Sequence, residues 1–193
     1  ALLNWMRYIA GIPSDVALDA DYVKMAQAAS VVNAANGNLS HDPAKPAGMA
    51  DDLYNLGAAG AGRSNIAYGY ASPAASVLGW MADSDSSNIN RLGHRRWCLN
   101  PSMAKTGFGY AAGFSAMYSF DGSSSVTPTY EAVMWPAANT PTALFQTNSW
   151  ANGGEGDAWS FSADLAAYGD GLKVTLKRTS DGKTWNFSEA KAD

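Results

Sequence analysis

The chain contains only one cysteine, Cys98, among its 193 residues. A single cysteine cannot form an intrachain disulfide, which excludes the disulfide-stapled class of small secreted proteins but not export from a bacterium. Cys98 lies between Trp97 and Leu99. This setting favours a small buried apolar side chain over a nucleophile.

Charge is also scarce. Charged residues make up 16% of the chain and the net charge is −4, against a usual charged fraction of about 25%. Lys and Arg form no long stripe, which excludes nucleic acid as a partner. No apolar run approaches the roughly 20 residues of a membrane span, so we expect no transmembrane segment. The sequence opens inside a helical pattern, and we expect a removed leader or an upstream region before it.

The first hundred residues read as helices. Apolar residues are 47% of the chain, enough for a sizeable core. The second helix has an N-cap signal at Asp19 and a C-cap signal at Gly37, and Ser72-Pro73 starts a later long helix. The remaining predictions are a helix over 2–9, at most a short helix over 51–56 followed by a Gly/Ala loop, and a short helix over 91–96.

After Pro101 the pattern changes to strands, predicted over 105–111, 115–120 and 130–135. Helices followed by antiparallel strands predict an α+β layered domain. The best boundary lies at 135–141, which gives a first domain over 1–136 and a β module over 137–193. That module has predicted strands over 158–162, 172–177 and 183–187, the last two joined by a hairpin turn at 180–182. A sheet this small is marginal by itself, so it either packs on the first domain or is a fragment of a larger β module.

The only two histidines, His41 and His94, each closely follow a glycine. Histidine titrates near neutral pH and is the commonest metal ligand, so two such segments predict a site. Ser64-Asn65 and the helical acid Asp83 lie between them in sequence. Only the fold can bring these positions together, because local spacing does not.

Five segments, taken together, resemble the CAP superfamily, which groups cysteine-rich secretory proteins, antigen 5 and pathogenesis-related 1 proteins. In order they read LNWMR (3–7), GNLSH (37–41), SNIA (64–67), WMAD (80–83) and GHRRW (93–97). The resemblance covers roughly residues 1–136, and with its single cysteine the chain looks like the disulfide-free bacterial branch. It implies an α-β-α sandwich with a central antiparallel sheet.

The resemblance also implies a cleft with two histidines and two acids. His41 and His94 match the histidines by motif, and Asp83 matches the acid after the Trp. Ser64 stands before Asn65 where the family has Glu, so the four-residue set is incomplete. The family's Gly-His-Tyr-Thr-Gln also reads Gly-His-Arg-Arg-Trp here.

Two imidazoles and a carboxylate, from His41, His94 and Asp83, could hold zinc or a similar divalent ion. The alternative is a metal-free cleft, in which both histidines hydrogen-bond to Ser64, Asn65 or the backbone. Without the Glu, no second general base stands beside Asp83, and hydrolytic chemistry loses a participant.

Three other sequence patterns are weaker evidence for a functional site. Residues 57–64 mimic a phosphate-binding loop, but an Arg replaces the Lys and no strand precedes them, which favours a flexible loop. Residues 83–94 begin like a calcium loop but lack its Gly and its final Glu. Arg95 and Arg96 either capture an anion or, as we favour, cap the C-terminal end of the short helix.

The leading interpretation is a secreted or cell-surface bacterial CAP-like protein whose cleft, formed by His41, Ser64, Asn65, Asp83 and His94, binds a ligand, with no catalysis established. The ligand would be a small molecule, a lipid or a cell-wall glycan. One alternative is a metal-assisted hydrolase of peptide or cell-wall substrates. Another is a structural adhesion module, whose tail contacts sugars through Trp150, Trp159 or Trp185.

Overall fold

The computed structural model describes residues 1–126, 131–140, 158–163 and 173–187. Trp150 therefore lies outside the described residues. The helices are α1 (Leu2–Ile9), α2 (Ala20–Asn36), α3 (Asp51–Ala61), α4 (Pro73–Ala82) and α5 (Gly93–Cys98). The strands are β1 (Ala17–Leu18), β2 (Ser64–Tyr68), β3 (Lys105–Thr106), β4 (Phe108–Ala111), β5 (Phe114–Tyr118), β6 (Ala132–Trp135), β7 (Ser160–Ala163), β8 (Val174–Lys177) and β9 (Thr184–Phe187).

The central sheet is antiparallel, with strand order β2-β5-β4. Ile66 pairs with Ala116, and both pack against the small residues of α2 and α3. Ala67 and Met117 lie on the opposite face, in the larger core shared with α1, α4 and α5. Because successive strand residues point to opposite faces, the sheet is covered by helices on both sides. This arrangement confirms the predicted α+β sandwich.

The predicted cap signals of two helices are confirmed. The Asp19 carboxylate accepts hydrogen bonds from the backbone N–H groups that open α2, and Gly37 ends that helix at φ 64°. Ser72 lies one residue before Pro73, where α4 begins, and its hydroxyl accepts a hydrogen bond from Ala75 N at 3.1 Å. Each cap satisfies backbone groups that have no partner inside the helix.

The predicted Gly/Ala loop after residue 56 is wrong, because α3 continues through it to Ala61. Its glycines are required by packing against α2. A Cβ on Gly60 would lie 2.2 Å from Met25 O, and one on Gly57 would lie 2.5 Å from Val32 Cγ2. Glycine costs helix stability in isolation. Here it permits a backbone approach that no larger residue allows.

Two strand assignments also differ from the prediction. The single strand predicted over 105–111 is divided at Gly107 into β3 and β4, and β3 pairs in parallel with β1. A Cβ on Gly107 would lie 2.2 Å from Tyr22 C, so this point of the chain rests directly on α2. The strand β2 was not predicted, because residues 64–68 are buried at four of five positions and show no alternation.

The C-terminal strands form two antiparallel pairs, β6 with β7 and β8 with β9. β6 lies within the predicted first domain and β7 lies within the predicted tail, while Val133 and Trp135 are buried in the main core. The division at 136 stays a prediction. Across the described ranges, no helix is both long enough and apolar enough to pass through a membrane.

We predict that Gly60→Ala destabilises the protein by about 2 kcal/mol or more, because the added methyl meets the α2 backbone and the helices must separate. The measurement is the free energy of unfolding in urea. Gly62→Ala is the matched control, since its Cβ would meet only ordinary contacts of 3.5 Å and beyond. It should be neutral or slightly stabilising, and equal losses from both substitutions would contradict the packing argument.

Candidate functional site

Asp83 and His94 are in direct contact at the junction of α4 and α5 and form the centre of the candidate site. Asp83 ends α4 in the left-handed conformation, at φ 48°, and its carboxylate turns toward the first residues of α5. Oδ1 lies 2.8 Å from His94 Nδ1, while Oδ2 accepts from His94 N at 2.9 Å and from Arg95 N at 3.3 Å. The Asp83 side chain is 1% exposed and that of His94 is 21% exposed. One buried carboxylate thus fixes both the imidazole and the start of its helix.

The contact also sets the tautomer of His94. A carboxylate accepts hydrogen bonds, so the proton lies on Nδ1 and the neutral ring has its lone pair on Nε2. The partly exposed ring therefore offers an acceptor to a ligand. The same orientation is used by histidines that act as general bases.

Arg95 stabilises the junction of α4 and α5, where Asp83 and His94 lie. It is buried, with Nε donating to Met81 O at 2.6 Å and Nη2 donating to Ala82 O at 3.1 Å. Its Nη1 donates to Ala158 O at 2.5 Å, in front of β7. The expectation that Arg95 caps its own short helix is wrong: it caps the last carbonyls of α4. Arg96 is exposed.

Asn65 joins the central sheet to the site. Its Nδ2 donates to His94 O at 2.9 Å and to Cys98 Sγ at 3.6 Å, so β2 is tied to α5 along its length. Ser64, the preceding residue, is 5% exposed. Its Oγ is buried and has no hydrogen-bond partner among the described residues. A buried hydroxyl without a partner is costly unless a ligand or water satisfies it.

His41 is held at a different junction. Its Nδ1 lies 2.8 Å from Ala61 O, the last residue of α3, and the residue is exposed. Ser64 follows three residues later at the start of β2. The structure therefore connects Asp83, His94 and Asn65 directly by hydrogen bonds, and it ties His41 to the α3–β2 junction beside Ser64.

The donor atoms fit a divalent metal poorly. Within the described ranges, the group whose potential ligand atoms lie within 4.8 Å of one another is Asp83, Asp85 and His94, without His41. Three N–H groups already occupy the Asp83 carboxylate. Ser87 and Asn88 donate to the Asp85 carboxylate. Metal binding would have to replace these hydrogen bonds, and the zinc set of His41, His94 and Asp83 stays a prediction.

Asp85 is the neighbour that sequence reasoning did not include in the site. Partial burial alone would raise its pKa, but hydrogen bonds from Ser87 and Asn88, together with His94, hold the pKa of Asp85 below its ordinary value. The available signal was the Asp-x-Asp spacing at 83–85. By sequence alone, that spacing resembles the start of a calcium loop and does not point to the His94 site.

Cys98 takes no part as a nucleophile. It is completely buried, and burial together with the nearby Asp83 charge raises the pKa of Cys98 to about 12. A thiol with that pKa is not ionised near neutral pH, so the interpretation of Cys98 as an apolar core residue is confirmed.

The tail tryptophans differ in exposure. Trp159 is 65% exposed beside β7. Trp185 is half-buried, and its ring contacts the Lys183 ammonium and the Arg178 guanidinium at centroid distances of 4.9 and 5.6 Å. Trp159 therefore offers the more open ring for contact with another molecule.

Helices on both faces of an antiparallel sheet, with a histidine–aspartate pair at a helix junction, define a sandwich protein with a histidine-centred polar site. The model of the cysteine-rich secretory protein family, CAP, matches residues 1–120. The chain belongs to this family, and the matched residues contain α1 through β5 and all five predicted cleft residues. Searches of curated proteins and of solved structures give no significant match.

We predict that Asp83→Asn keeps the turn but releases His94. Asn tolerates the left-handed conformation, so the backbone is not strained, while the loss of charge-assisted bonds should cost about 1.5–3 kcal/mol. Imidazole nitrogen NMR at about pH 8 should show Nδ1–H in the wild type and a mixture of tautomers in the variant. An unchanged Nδ1–H signal in the variant would mean that Asp83 does not set the tautomer.

Cys98 should resist thiol reagents in the folded protein. At about pH 8, an aromatic disulfide reagent is expected to label it only as fast as the protein unfolds, because the thiol is buried and protonated. Labelling in denaturing urea gives the rate for an exposed thiol. Rapid labelling under native conditions would contradict the burial described for α5.

Proposed function

We propose that this CAP-family protein acts outside a bacterial cell and uses the cleft around His94 to bind a ligand without turning it over. The family is named for secretory proteins, which supports the extracellular setting. The ligand would contact the partly exposed imidazole at His94, with Ser64 and His41 at the edge of the site.

The observation that supports this proposal is that the Asp83 carboxylate already accepts three hydrogen bonds within the protein. A carboxylate that accepts three N–H bonds and is 1% exposed has the geometry of a positioning group, not of one that exchanges protons with a substrate. With Ser64 in place of Glu, the cleft also lacks the second acid. Hydrolysis by a paired acid and base would need both groups.

The available polar atoms favour a ligand rich in hydroxyl groups. His94 Nε2 can accept a hydrogen bond. Ser64 Oγ is buried and lacks a partner in the described part of the chain, so a water bridging it to the ligand would satisfy it. Sugar hydroxyls both donate and accept, so a cell-wall glycan suits this pair better than a purely apolar lipid. Purified peptidoglycan is therefore the first probe.

A hydrolase remains the second candidate, and the His94–Asp83 pair is what favours it. The pair matches the orientation of a general base and its orienting acid. Within the described part of the chain, however, no hydroxyl or thiol hydrogen-bonds to His94, and Cys98 is protonated near neutral pH. The candidate would need a nucleophile or an activated water from elsewhere.

Binding and turnover can be measured on the same sample. The protein is expected to sediment with purified peptidoglycan without releasing soluble fragments or new reducing ends. His94→Gln should lose at least about tenfold in affinity if the imidazole accepts a ligand hydrogen bond. Asp42→Asn is a matched surface control near the other histidine. Fragment release that disappears in His94→Gln would establish the hydrolase instead, and a lack of sedimentation would reject the glycan.

Zinc provides an independent prediction. Calorimetric titration should show weak binding, because Asp83 is engaged and Ser64 supplies no charge. Ser64→Glu should strengthen it by restoring an anionic ligand. Ser64→Gln has nearly the same size without the charge and controls for crowding in the buried position. Tight zinc binding by the wild type, lost in His41→Ala and unimproved by Ser64→Glu, would overturn the incomplete-site argument.

A further inference from the structure

A second concavity lies on the opposite side of the helix that carries His94. It is a cavity of about 800 Å³ between α5 and the β6–β7 pair. Its size falls in the range of roughly 300–1,000 Å³ that is typical of small-molecule sites. His94 and Asp83 are not among the residues that line it.

The periodicity of α5 explains the separation of the two sites. Residues four apart share a helix face. His94 and Cys98 share the face that meets Asp83 and Asn65. Arg96, two residues from each of them, lies on the other side of α5 and lines the cavity, as do Trp97 and the later Asn100.

The cavity is cationic although the protein is acidic overall. Three arginines line it, Arg91, Arg95 and Arg96, against one glutamate, Glu131, while the chain carries a net charge of −4. Arg95 is already bonded to backbone carbonyls. Within the described part of the chain, the guanidinium groups of Arg91 and Arg96 make no hydrogen bond or ion pair. Two such guanidinium groups at one cavity favour binding of an oxyanion, because each guanidinium can donate two parallel hydrogen bonds to it.

The remaining wall suits the apolar or planar body of a ligand. Leu99 and Val133 are buried at 5% and 6% exposure and contribute apolar surface. Trp97 is 36% exposed, and its ring stacks on Phe120 with centroids 4.5 Å apart. The stacking restrains the indole, so ordering it costs a ligand little.

Arg95 also holds the two walls together. Besides capping α4, it donates to Ala158 O and lies 3.3 Å from Ser160 Oγ at the start of β7. The strand that closes the cavity is therefore fixed to the helix that carries Arg96. A preformed cavity of this kind binds with a smaller ordering cost.

We propose that this cavity is a binding site for a small organic anion, in which Arg91 and Arg96 bind a carboxylate or phosphate group and Trp97 contacts the attached planar or apolar body. The site is separate from the His94 cleft. Its ligand is an anion with a planar or apolar body, whereas the ligand proposed for the cleft is rich in hydroxyl groups. Its occupancy does not depend on the proposed function of that cleft.

The test uses the full chain and four defined probes: phenyl phosphate, benzoate, inorganic phosphate and benzyl alcohol. Calorimetry should show that phenyl phosphate or benzoate, or both, bind at least about tenfold more tightly than neutral benzyl alcohol and than inorganic phosphate. The tighter of the two aromatic anions identifies the preferred oxyanion. In NMR spectra, the Trp97 indole N–H, assigned with Trp97→Phe, should move on binding.

The variants locate the site. Arg91→Gln and Arg96→Gln should each weaken binding of the preferred aromatic anion by about tenfold, whereas Arg63→Gln removes the same charge away from the cavity and should have no effect. His94→Gln should also leave this binding unchanged, which separates the result from any failure of the glycan experiment. Equal affinity for benzyl alcohol, wild-type affinity in both cavity variants, or no aromatic-anion binding near 1 mM (about −4 kcal/mol) would overturn the proposal.

Discussion

The arrangement of the site depends on the hydrogen bonds of one carboxylate. Asp83 lies where α4 ends, and it holds the second and third residues of α5 through backbone N–H groups as well as the His94 ring. A six-residue helix has little stability by itself. α5 is therefore positioned by what contacts it: Asp83 at its start and Asn65 along its inner face. The orientation of His94 follows from these contacts.

The buried arginines perform a related task at longer range. Arg7, on α1, donates to the carbonyls of Pro13, Cys98, Asn100 and Met103, which brings the end of α5 and the following turn to the first helix. Arg95 does the same for the end of α4. A guanidinium has five N–H donors and can satisfy several carbonyls at once. The two side chains thus hold carbonyl groups at helix ends and turns, where backbone groups have no partner within a helix or sheet.

The sequence was most informative where the local signal and the tertiary structure agree. Asp19, Gly37 and Ser72 cap helices as their chemistry predicts. Helices followed by strands predicted an α+β layered domain, whereas the covering of both sheet faces was implied by the family resemblance. Prediction failed at Gly57 and Gly60, because a glycine that breaks an isolated helix is the residue that allows α2 and α3 to touch. It failed at β2 because a strand buried on both faces has no alternating pattern. The partners of Arg95 could not be predicted either. They are backbone carbonyls 13 and 14 residues away, and every residue type has a backbone carbonyl, so the sequence does not mark them.

The contact between Arg95 and the segment before β7 has a mechanical consequence. Arg95 bonds to Ala158 O on one side and to the last turn of α4 on the other. A displacement of β7 would therefore act on this guanidinium, and through it on the turn that bears Asp83. The position of β7 and the orientation of His94 are mechanically coupled through these polar contacts.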